Sequence, residues 1–177
     1  MYGAMAVSKD HGRNFEIVSG LPQDQWFDDF IKTGTTLFAC SYGAGVFRSD
    51  DNGLQWQALN DGLDHPNSMY VNGITSFGGS LFLGTDEGLY RSDNHGNYWY
   101  LIERGGGGVN DVKSLGQTLF ASTYGSGIFT SDDDGQTWKS ANSGLVGRRE
   151  FNFLRIGDRM AICSSGHGVS LSNPIGY

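Results

Sequence analysis

The amino-acid sequence predicts an all-β protein, a β-propeller of four-stranded antiparallel blades, from two patterns that repeat together. The first is an eight-residue box, Ser-x-Asp/Asn-x-Gly-x-x-aromatic, at residues 8–15, 49–56, 92–99 and 131–138, with a degenerate start at Ser172. The second is a short apolar run upstream of the later boxes, such as Leu37-Phe38-Ala39. The boxes recur about every 40 residues, which is the length of one propeller blade.

Each repeat divides into four predicted strands, A to D, which are short, bounded by glycine, and rich in β-branched and aromatic residues. Strand A is predicted at 27–32, 70–76, 109–114 and 151–156, strand C at 46–48, 89–91 and 128–130, and strand D at 56–59, 99–102 and 138–140. Strand B is the apolar run, and the box is the turn between C and D. No window keeps a 3.6-residue hydrophobic period, so no helix is predicted.

The chain reads as one propeller domain, residues 1–177, whose repeats start and stop out of phase with the blades. Residues 1–19 supply only strands C and D of a repeat, and residues 149–173 supply A, B and a C-like strand. About four blade equivalents result. Because an open sheet edge invites further pairing, the terminal strands are expected either to share one blade or to pair with another chain in a homo-oligomer.

Composition agrees with this class and excludes several functions. Glycine accounts for 28 of the 177 residues and aromatic residues for 13%, as in packed strands joined by many tight turns. The net charge is −7 with no basic stripe, so neither nucleic acid nor an anionic membrane is an expected partner. No apolar run reaches the ~18 residues that a membrane-spanning helix needs, so no membrane insertion is expected.

The two cysteines, Cys40 and Cys163, occupy matching positions in different repeats. Equivalent positions in different blades are usually too far apart for a disulfide, so both are predicted to be buried free thiols. Two cysteines without clustered histidines do not suggest a metal centre. No metal and no cofactor are therefore expected.

The box itself has a structural explanation. Its glycine permits a positive φ, its Ser and Asp side chains can bond nearby backbone N–H groups, and its aromatic residue is expected to pack between neighbouring sheets. Calcium binding is disfavoured, because no glutamate stands where an EF-hand-type loop needs one; that position is Ala141. The predicted structural residues are Ser8, Asp10, Gly12, Ser49, Asp51, Gly53, Trp56, Ser92, Asn94, Gly96, Trp99, Ser131, Asp133, Gly135 and Trp138.

These boxes resemble the Asp-box (BNR) repeat of sialidases, xyloglucanases, sortilin-type receptors, photosystem II assembly factors and secreted bacterial propellers. The resemblance implies a propeller whose boxes lie opposite the ligand face. It also suggests an extracytoplasmic or secreted location, although the N-terminus has no signal-peptide pattern and the sequence itself leaves the compartment unknown.

The resemblance does not by itself imply an enzyme, because one fold carries many functions. A sialidase-like enzyme would have an Arg-Ile-Pro motif near its N-terminus, whereas the nearest match, Arg155-Ile156-Gly157, lacks the proline and lies near the C-terminus. The glycine run 105–108 is interpreted as a connector, since no Lys-Ser/Thr follows it. We expect a non-catalytic module that binds a protein or glycan. The alternatives are a glycoside hydrolase relative or fragment and a structural unit that assembles into a larger ring.

Candidate binding residues lie in the turns between strands B and C and in the connectors from D to A, because both emerge on the face opposite the boxes. They are Trp26, Tyr42, Tyr70, Glu87, Tyr124, Arg148, Arg149 and His167. For Trp26 and Tyr70 the alternative is that they open strand A and pack on the next blade. Equivalent positions of strand A carry Asp28, Asn72, Asn110 and Asn152, which are predicted to form a polar ring in the channel, as a hydrated centre or as a site for a small polar ligand.

Overall fold

The computed structural model describes residues 5–104, 106–145, 151–164 and 168–171, and within this part every regular element is a β-strand. Ser172, the degenerate start of a fifth box, lies outside the described residues. The predicted all-β class is confirmed.

The strands form antiparallel sheets in which the chain always runs from one strand to its hydrogen-bonded neighbour. A two-stranded hairpin holds β1 (Ala6–Val7) and β2 (Glu16–Ile17). The first blade holds β3 (Trp26–Thr33), β4 (Thr36–Tyr42), β5 (Gly45–Ser49) and β6 (Gln57–Ala58). The second holds β7 (Val71–Phe77), β8 (Ser80–Thr85), β9 (Leu89–Ser92) and β10 (Tyr100–Glu103). The third holds β11 (Val109–Leu115), β12 (Thr118–Thr123), β13 (Gly127–Ser131) and β14 (Lys139–Ser140). The fourth sheet holds β15 (Phe151–Ile156), β16 (Arg159–Ser164) and β17 (Gly168–Leu171).

The first strands of successive sheets contact each other in the order β3, β7, β11 and β15, so the sheets stand side by side around these inner strands. This is the blade arrangement of a propeller. The two terminal groups of strands, β1–β2 and β15–β17, belong to separate sheets and do not form one composite blade in the described part of the chain. Pairing of these strands with another chain stays a prediction.

The fourth strand of each complete blade begins one residue later than predicted, after the box tryptophan. The Trp56 amide donates to the Ser19 carbonyl oxygen at 3.0 Å, and the Trp99 amide donates to the Asp61 carbonyl oxygen at 2.8 Å. These amides bond to the connector that precedes the blade, so they do not join the ladder within their own sheet. Trp56 and Trp99 therefore link their blades to the preceding sheet through the backbone.

The box turns confirm the predicted hydrogen bonding. In the first blade the Gly53 amide donates to Ser49 Oγ at 2.9 Å, Ser49 Oγ donates to Asp51 Oδ1 at 2.8 Å, and the Gln55 amide donates to the same Asp51 oxygen at 2.9 Å. The boxes that begin at Ser8, Ser92 and Ser131 repeat all three bonds. Each box therefore closes its turn through its own side chains.

Two consecutive residues of each box have a left-handed backbone. The box glycines have φ between 79° (Gly135) and 87° (Gly53), and the residues before them, His11, Asn52, His95 and Asp134, have φ between 57° and 61°. Asn, Asp and His tolerate this region better than other non-glycine residues. The turn therefore explains why two of the four histidines are found in boxes.

The core lies between neighbouring sheets. Phe38, Leu63, Leu83 and Trp99 are among the buried residues between the first and second blades. Phe15 is an exception to the predicted packing of box aromatics, since it is 66% exposed. Its hairpin contributes to the face of the first blade through Met5, Val18 and Leu21, which pack near Phe47 and Trp56.

The two cysteines are free, but only one is buried. Cys40 on β4 is fully buried, and burial raises the pKa of its thiol well above the ordinary value. Cys163 on β16 is half-buried, so its predicted burial is wrong. Within the described residues, β16 lies in a sheet of three strands, which gives this position less cover than Cys40 has in a complete blade.

Candidate functional site

The surface opposite the boxes is called here the upper face; it carries the turns between second and third strands and the connectors between sheets. At its centre is a pocket of about 330 Å³ that touches all four inner strands. Its lining residues are Trp26, Asp28, Tyr42, Asn72, Asn110 and Asn152. The structure thus brings together the four proposed channel residues and two of the proposed aromatic ligand contacts.

Three of the channel residues occupy irregularities in the strand pairing. Phe27 pairs with Ser41 and Asp29 with Cys40, so Asp28 is an extra residue in β3; Asn72 and Asn110 are extra in β7 and β11 in the same way. Such β-bulges bend a strand and redirect a side chain. The bulge explains how Asp28, Asn72 and Asn110 reach the same pocket from three sheets.

Asn152 reaches the pocket without a bulge. It pairs with Cys163, as Asp29 pairs with Cys40, so its place in the ladder is that of Asp29 rather than that of Asp28. The sequence alignment of Asn152 with Asp28 therefore does not describe the strand register. Both side chains nevertheless line the same pocket.

Below the pocket, an ion network joins the first and third blades. Lys113 on β11 forms an ion pair with Asp29 on β3, and its Nζ lies 3.5 Å from Asp111 Oδ1. The same carboxylates accept backbone amides of the next inner strand: Ile74 donates to Asp29 Oδ2 at 2.9 Å, and Phe153 donates to Asp111 Oδ2 at 2.8 Å. Asp29 and Asp111 therefore fix the spacing of the inner strands as well as holding the lysine.

The second blade carries glycine at this level. A Cβ on Gly73 would lie 2.7 Å from Asp111 Oδ1, which is closer than real Cβ contacts allow. The glycine thus lets the carboxylate of the third blade approach β7. By strand register, Gly73 lies at the same level as Asp29 and Asp111.

Burial controls the ionisation of the groups around the centre. Burial and the neighbouring Asp29 carboxylate raise the pKa of Asp28. Burial raises the pKa of Asp111, an effect that Lys113 partly offsets. Burial lowers the pKa of Lys113, but the carboxylates of Asp111 and Asp29 outweigh it, so the net shift is upward and the lysine stays charged.

An aromatic rim stands beside the central pocket. Trp26 is 75% exposed and pairs through the backbone with Tyr42, whose ring centroid lies 4.9 Å from that of Tyr70. Trp26 therefore does not pack on the next blade, whereas Tyr70, 37% exposed, packs on the first blade through Tyr42.

Asp86 accepts hydrogen bonds from one residue of the aromatic rim and from one channel residue. The Tyr42 hydroxyl donates to Asp86 Oδ2 at 3.0 Å, and Asn72 Nδ2 donates to Asp86 Oδ1 at 2.9 Å. The hydrogen bond to Asp86 raises the pKa of Tyr42, so the hydroxyl stays protonated as a donor. Both pocket residues are therefore held in place by one carboxylate that was not among the predicted site residues.

The remaining predicted ligand-binding residues do not contribute to the central pocket as the structure describes it. Glu87 forms an ion pair with Arg104, with His65 Nδ1 4.0 Å away, and Tyr124 is half-buried in the turn between β12 and β13. Neither Glu87 nor Tyr124 lines the central pocket. Arg148, Arg149 and His167 lie outside the described residues.

Sequence reasoning missed Asp29, Asp111 and Lys113 as contributors to the site. A usable signal was the acidic residue that directly follows a channel position, in Asp28-Asp29 and in Asn110-Asp111. Among the described residues, no group of three or more His, Cys, Asp or Glu side chains is arranged to hold a metal ion. The described part also contains no helix that is long and apolar enough to cross a membrane.

Comparisons with known proteins identify the fold. No protein-family model matches the chain, and no curated protein matches it. Solved structures do match, and they include propellers. The chain is a partial β-propeller of about four blades.

Three of these structures span different kinds of protein. The extracellular domain of a putative one-component system from B. thetaiotaomicron is 14% identical, with a TM-score of 0.76 over 96% of this chain and 24% of that one. The GH74 xyloglucanase from Xanthomonas campestris is 16% identical, with a TM-score of 0.67 over 98% of this chain and 27% of that one. YCF48 bound to D1 peptide is 20% identical, with a TM-score of 0.63 over 78% of this chain and 48% of that one. The chain therefore spans about a quarter to a half of these proteins, and the likeness concerns the fold alone.

Proposed function

We propose that this propeller is a non-catalytic binding module whose upper face recognises a carbohydrate. The observation that carries the proposal is the exposed Trp26 ring beside a pocket lined by amide and carboxyl side chains. An exposed aromatic ring offers an apolar surface for the C–H face of a sugar, while amides and carboxylates bond its hydroxyl groups. In the boxes, in contrast, the Ser and Asp or Asn side chains that close the turn already bond within it.

The size and preorganisation of the central pocket also support this proposal. A volume of about 330 Å³ lies at the small end of ordinary ligand pockets. Asp86 holds Tyr42 and Asn72 in fixed orientations, which lowers the cost of ordering them when a ligand binds. The resemblance of the boxes to Asp-box repeats is compatible with a module of this kind and does not name its ligand.

The test is a glycan array followed by calorimetric titration, beginning with xyloglucan oligosaccharides because one structural neighbour is a xyloglucanase. Trp26→Ala should weaken binding about tenfold or more, the loss expected when one aromatic contact is removed from a small ligand. Phe15→Ala is the matched control, because Phe15 is also exposed but belongs to a box. No glycan signal, or equal binding by the wild type and Trp26→Ala, would contradict the proposal.

A glycoside hydrolase is the second candidate, favoured by one observation. Asp28 has a raised pKa, as a general acid requires, and Asp86 is a second carboxylate bonded to two residues of the same pocket. Release of reducing sugar from xyloglucan or from a fluorogenic sialoside, abolished in Asp28→Asn, would replace the binding proposal with this one. Binding without turnover would support the non-catalytic module.

A further inference from the structure

One connector lacks a leucine that the others place between neighbouring sheets. After the last strand of a sheet the chain continues as Gly20-Leu21, Gly62-Leu63 and Gly144-Leu145. These leucines pack in the cores on either side of the first blade and between the third and fourth sheets. The connector between the second and third blades is instead Arg104 followed by the glycine run 105–108.

Two of the leucine turns are built in the same way. Asn60 Oδ1 accepts the Val46 amide at 2.8 Å, and its Nδ2 donates to the Ala44 carbonyl oxygen at 3.1 Å. The Leu63 amide then donates to the Asn60 carbonyl oxygen at 3.0 Å. The turn at Asn142 repeats these three bonds, and its leucine is Leu145. Asn-Xaa-Gly-Leu is thus a unit that directs one leucine between two sheets.

The second blade follows a different path. There β10 continues to Glu103, which pairs with Leu89 where the other blades have the asparagine turn. A cavity of about 310 Å³ lies at this place, with Leu89, Val109, Ala121 and Trp138 among its walls. We call it the leucine pocket.

The aromatic residues that line the leucine pocket are more exposed than the equivalent residues between the first and second blades. By strand register and box position, Phe129 and Trp138 correspond to Tyr90 and Trp99. Tyr90 and Trp99 are 0% exposed, whereas Phe129 and Trp138 are half-buried. Ala121 also stands where the preceding blade has Leu83, which enlarges the space further.

We propose that the leucine pocket binds the leucine side chain of a separate peptide segment, presented in an Asn-Xaa-Gly-Leu turn. The three internal leucines define the shape and chemistry of the occupant, because they fill the equivalent space at the other interfaces. The pocket shares no lining residue with the central pocket. The inference is therefore independent of the proposed carbohydrate site.

The experiment titrates the isotopically labelled protein with the blocked peptide Asn-Asp-Gly-Leu-Asp, the sequence of residues 60–64, and records amide chemical shifts. The same peptide with alanine in place of leucine is the matched ligand. Burial of a leucine side chain predicts about tenfold or more tighter binding of the leucine peptide, with shifts centred on β12 and β13. Ala121→Leu fills the pocket and should weaken binding by a similar factor, while Gln136→Ala, in an exposed box position, should leave it unchanged.

Three results would overturn the inference. They are equal affinity for the two peptides, unchanged affinity in a folded Ala121→Leu variant, and the absence of shifts at about 10 mM peptide, where a buried leucine with its turn should be detectable. The peptide comparison uses the wild-type protein, so it decides the matter even if the Ala121 variant does not fold. Loss of glycan binding in Trp26→Ala concerns the other pocket and leaves this result unaffected.

Discussion

The second and third blades have nearly the same sequence pattern, yet they pack on their predecessors differently. Trp99 of the second blade is fully buried against the first, under Leu59, Leu63 and Met69. Trp138 of the third blade is only half-buried against the second, beside a cavity. The difference arises mainly in the connector, since one connector supplies a leucine and the other supplies glycines, and a smaller residue on β12 enlarges the space further. A repeat protein can therefore gain a pocket when a linking segment changes while its strands keep their pattern.

Replacing the box tryptophans of the second and third blades should have the largest effect on the free energy of unfolding. Trp99→Ala removes a fully buried indole and should lower the free energy of unfolding by about 3–5 kcal/mol. Trp138→Ala removes a half-buried one and should cost about half as much. Urea unfolding of both variants measures the difference. Equal losses would mean that the interface between the second and third blades is as well packed as the earlier one.

Substitutions at two blade interfaces should change the stability of the protein in opposite directions. Leu63 lies between the first and second blades, and Ala121 lies between the second and third. Leu63→Ala opens a cavity and should destabilise the protein by about 2–5 kcal/mol. Ala121→Leu fills an existing cavity and should stabilise it by about 0.5–2 kcal/mol.

Ala39→Leu is the control for the filling experiment. Ala39 holds the equivalent place in the first blade, where Val18 and Leu21 already cover the interface, so an added side chain should cost about 1–3 kcal/mol through overpacking. Thermal unfolding of the three variants checks the signs. A destabilised Ala121→Leu would show that the third blade has no room for a leucine.

The smallest expected effect is on the pH dependence of stability and comes from the boxes. The third blade has Asp133 where the second blade has Asn94. Hydrogen bonds from Thr137 and Ser131 lower the pKa of Asp133 to about 2 in the folded state, below its ordinary value of 3.8. Its stabilising contribution is therefore present above the unfolded pKa and is lost as the pH falls through the folded pKa. Asp10 has the same shift, to about 2, for the same reason.

Asp133→Asn keeps an acceptor oxygen and removes the titration, so its free energy of unfolding should fall less than that of the wild type between about pH 5 and pH 2. Asn94→Asp should fall more, because it adds a titrating box to the second blade. Denaturant midpoints measured across this pH range test both variants. Parallel pH profiles for the three proteins would show that the box carboxylates do not contribute to acid sensitivity.

Most of the local structure could be predicted from the sequence. The box fixes its own turn, because Ser49, Asp51 and Gly53 are within four residues of each other and their bonds are local. The apolar runs became β4, β8, β12 and β16, since short apolar runs bounded by glycine favour strands locally. The polar ring was visible as a repeated Asn or Asp in strand A.

The functional surface depended on contacts between distant residues, which periodicity does not encode. In the sequence, Asp86 is one acidic turn residue among several, and only the structure shows its hydrogen bonds with Tyr42 and Asn72. Lys113 gave no sign that it would reach Asp29, which lies two blades earlier. The bulges at Asp28, Asn72 and Asn110 add one residue to one strand but not to its partner, so strand pairing was needed to see them.

The sequence alone was enough to predict the repeat, the all-β class and the turn that joins the third and fourth strands of each blade, because hydrogen bonds within a few residues and short apolar runs bounded by glycine specify them. Tertiary structure decided which side chains meet at the centre of the upper face, how far Trp26 projects and that an unfilled space lies between the second and third blades. The physical reason is that a pocket is formed by the surfaces of several sheets, and their relative placement follows from packing across the whole chain.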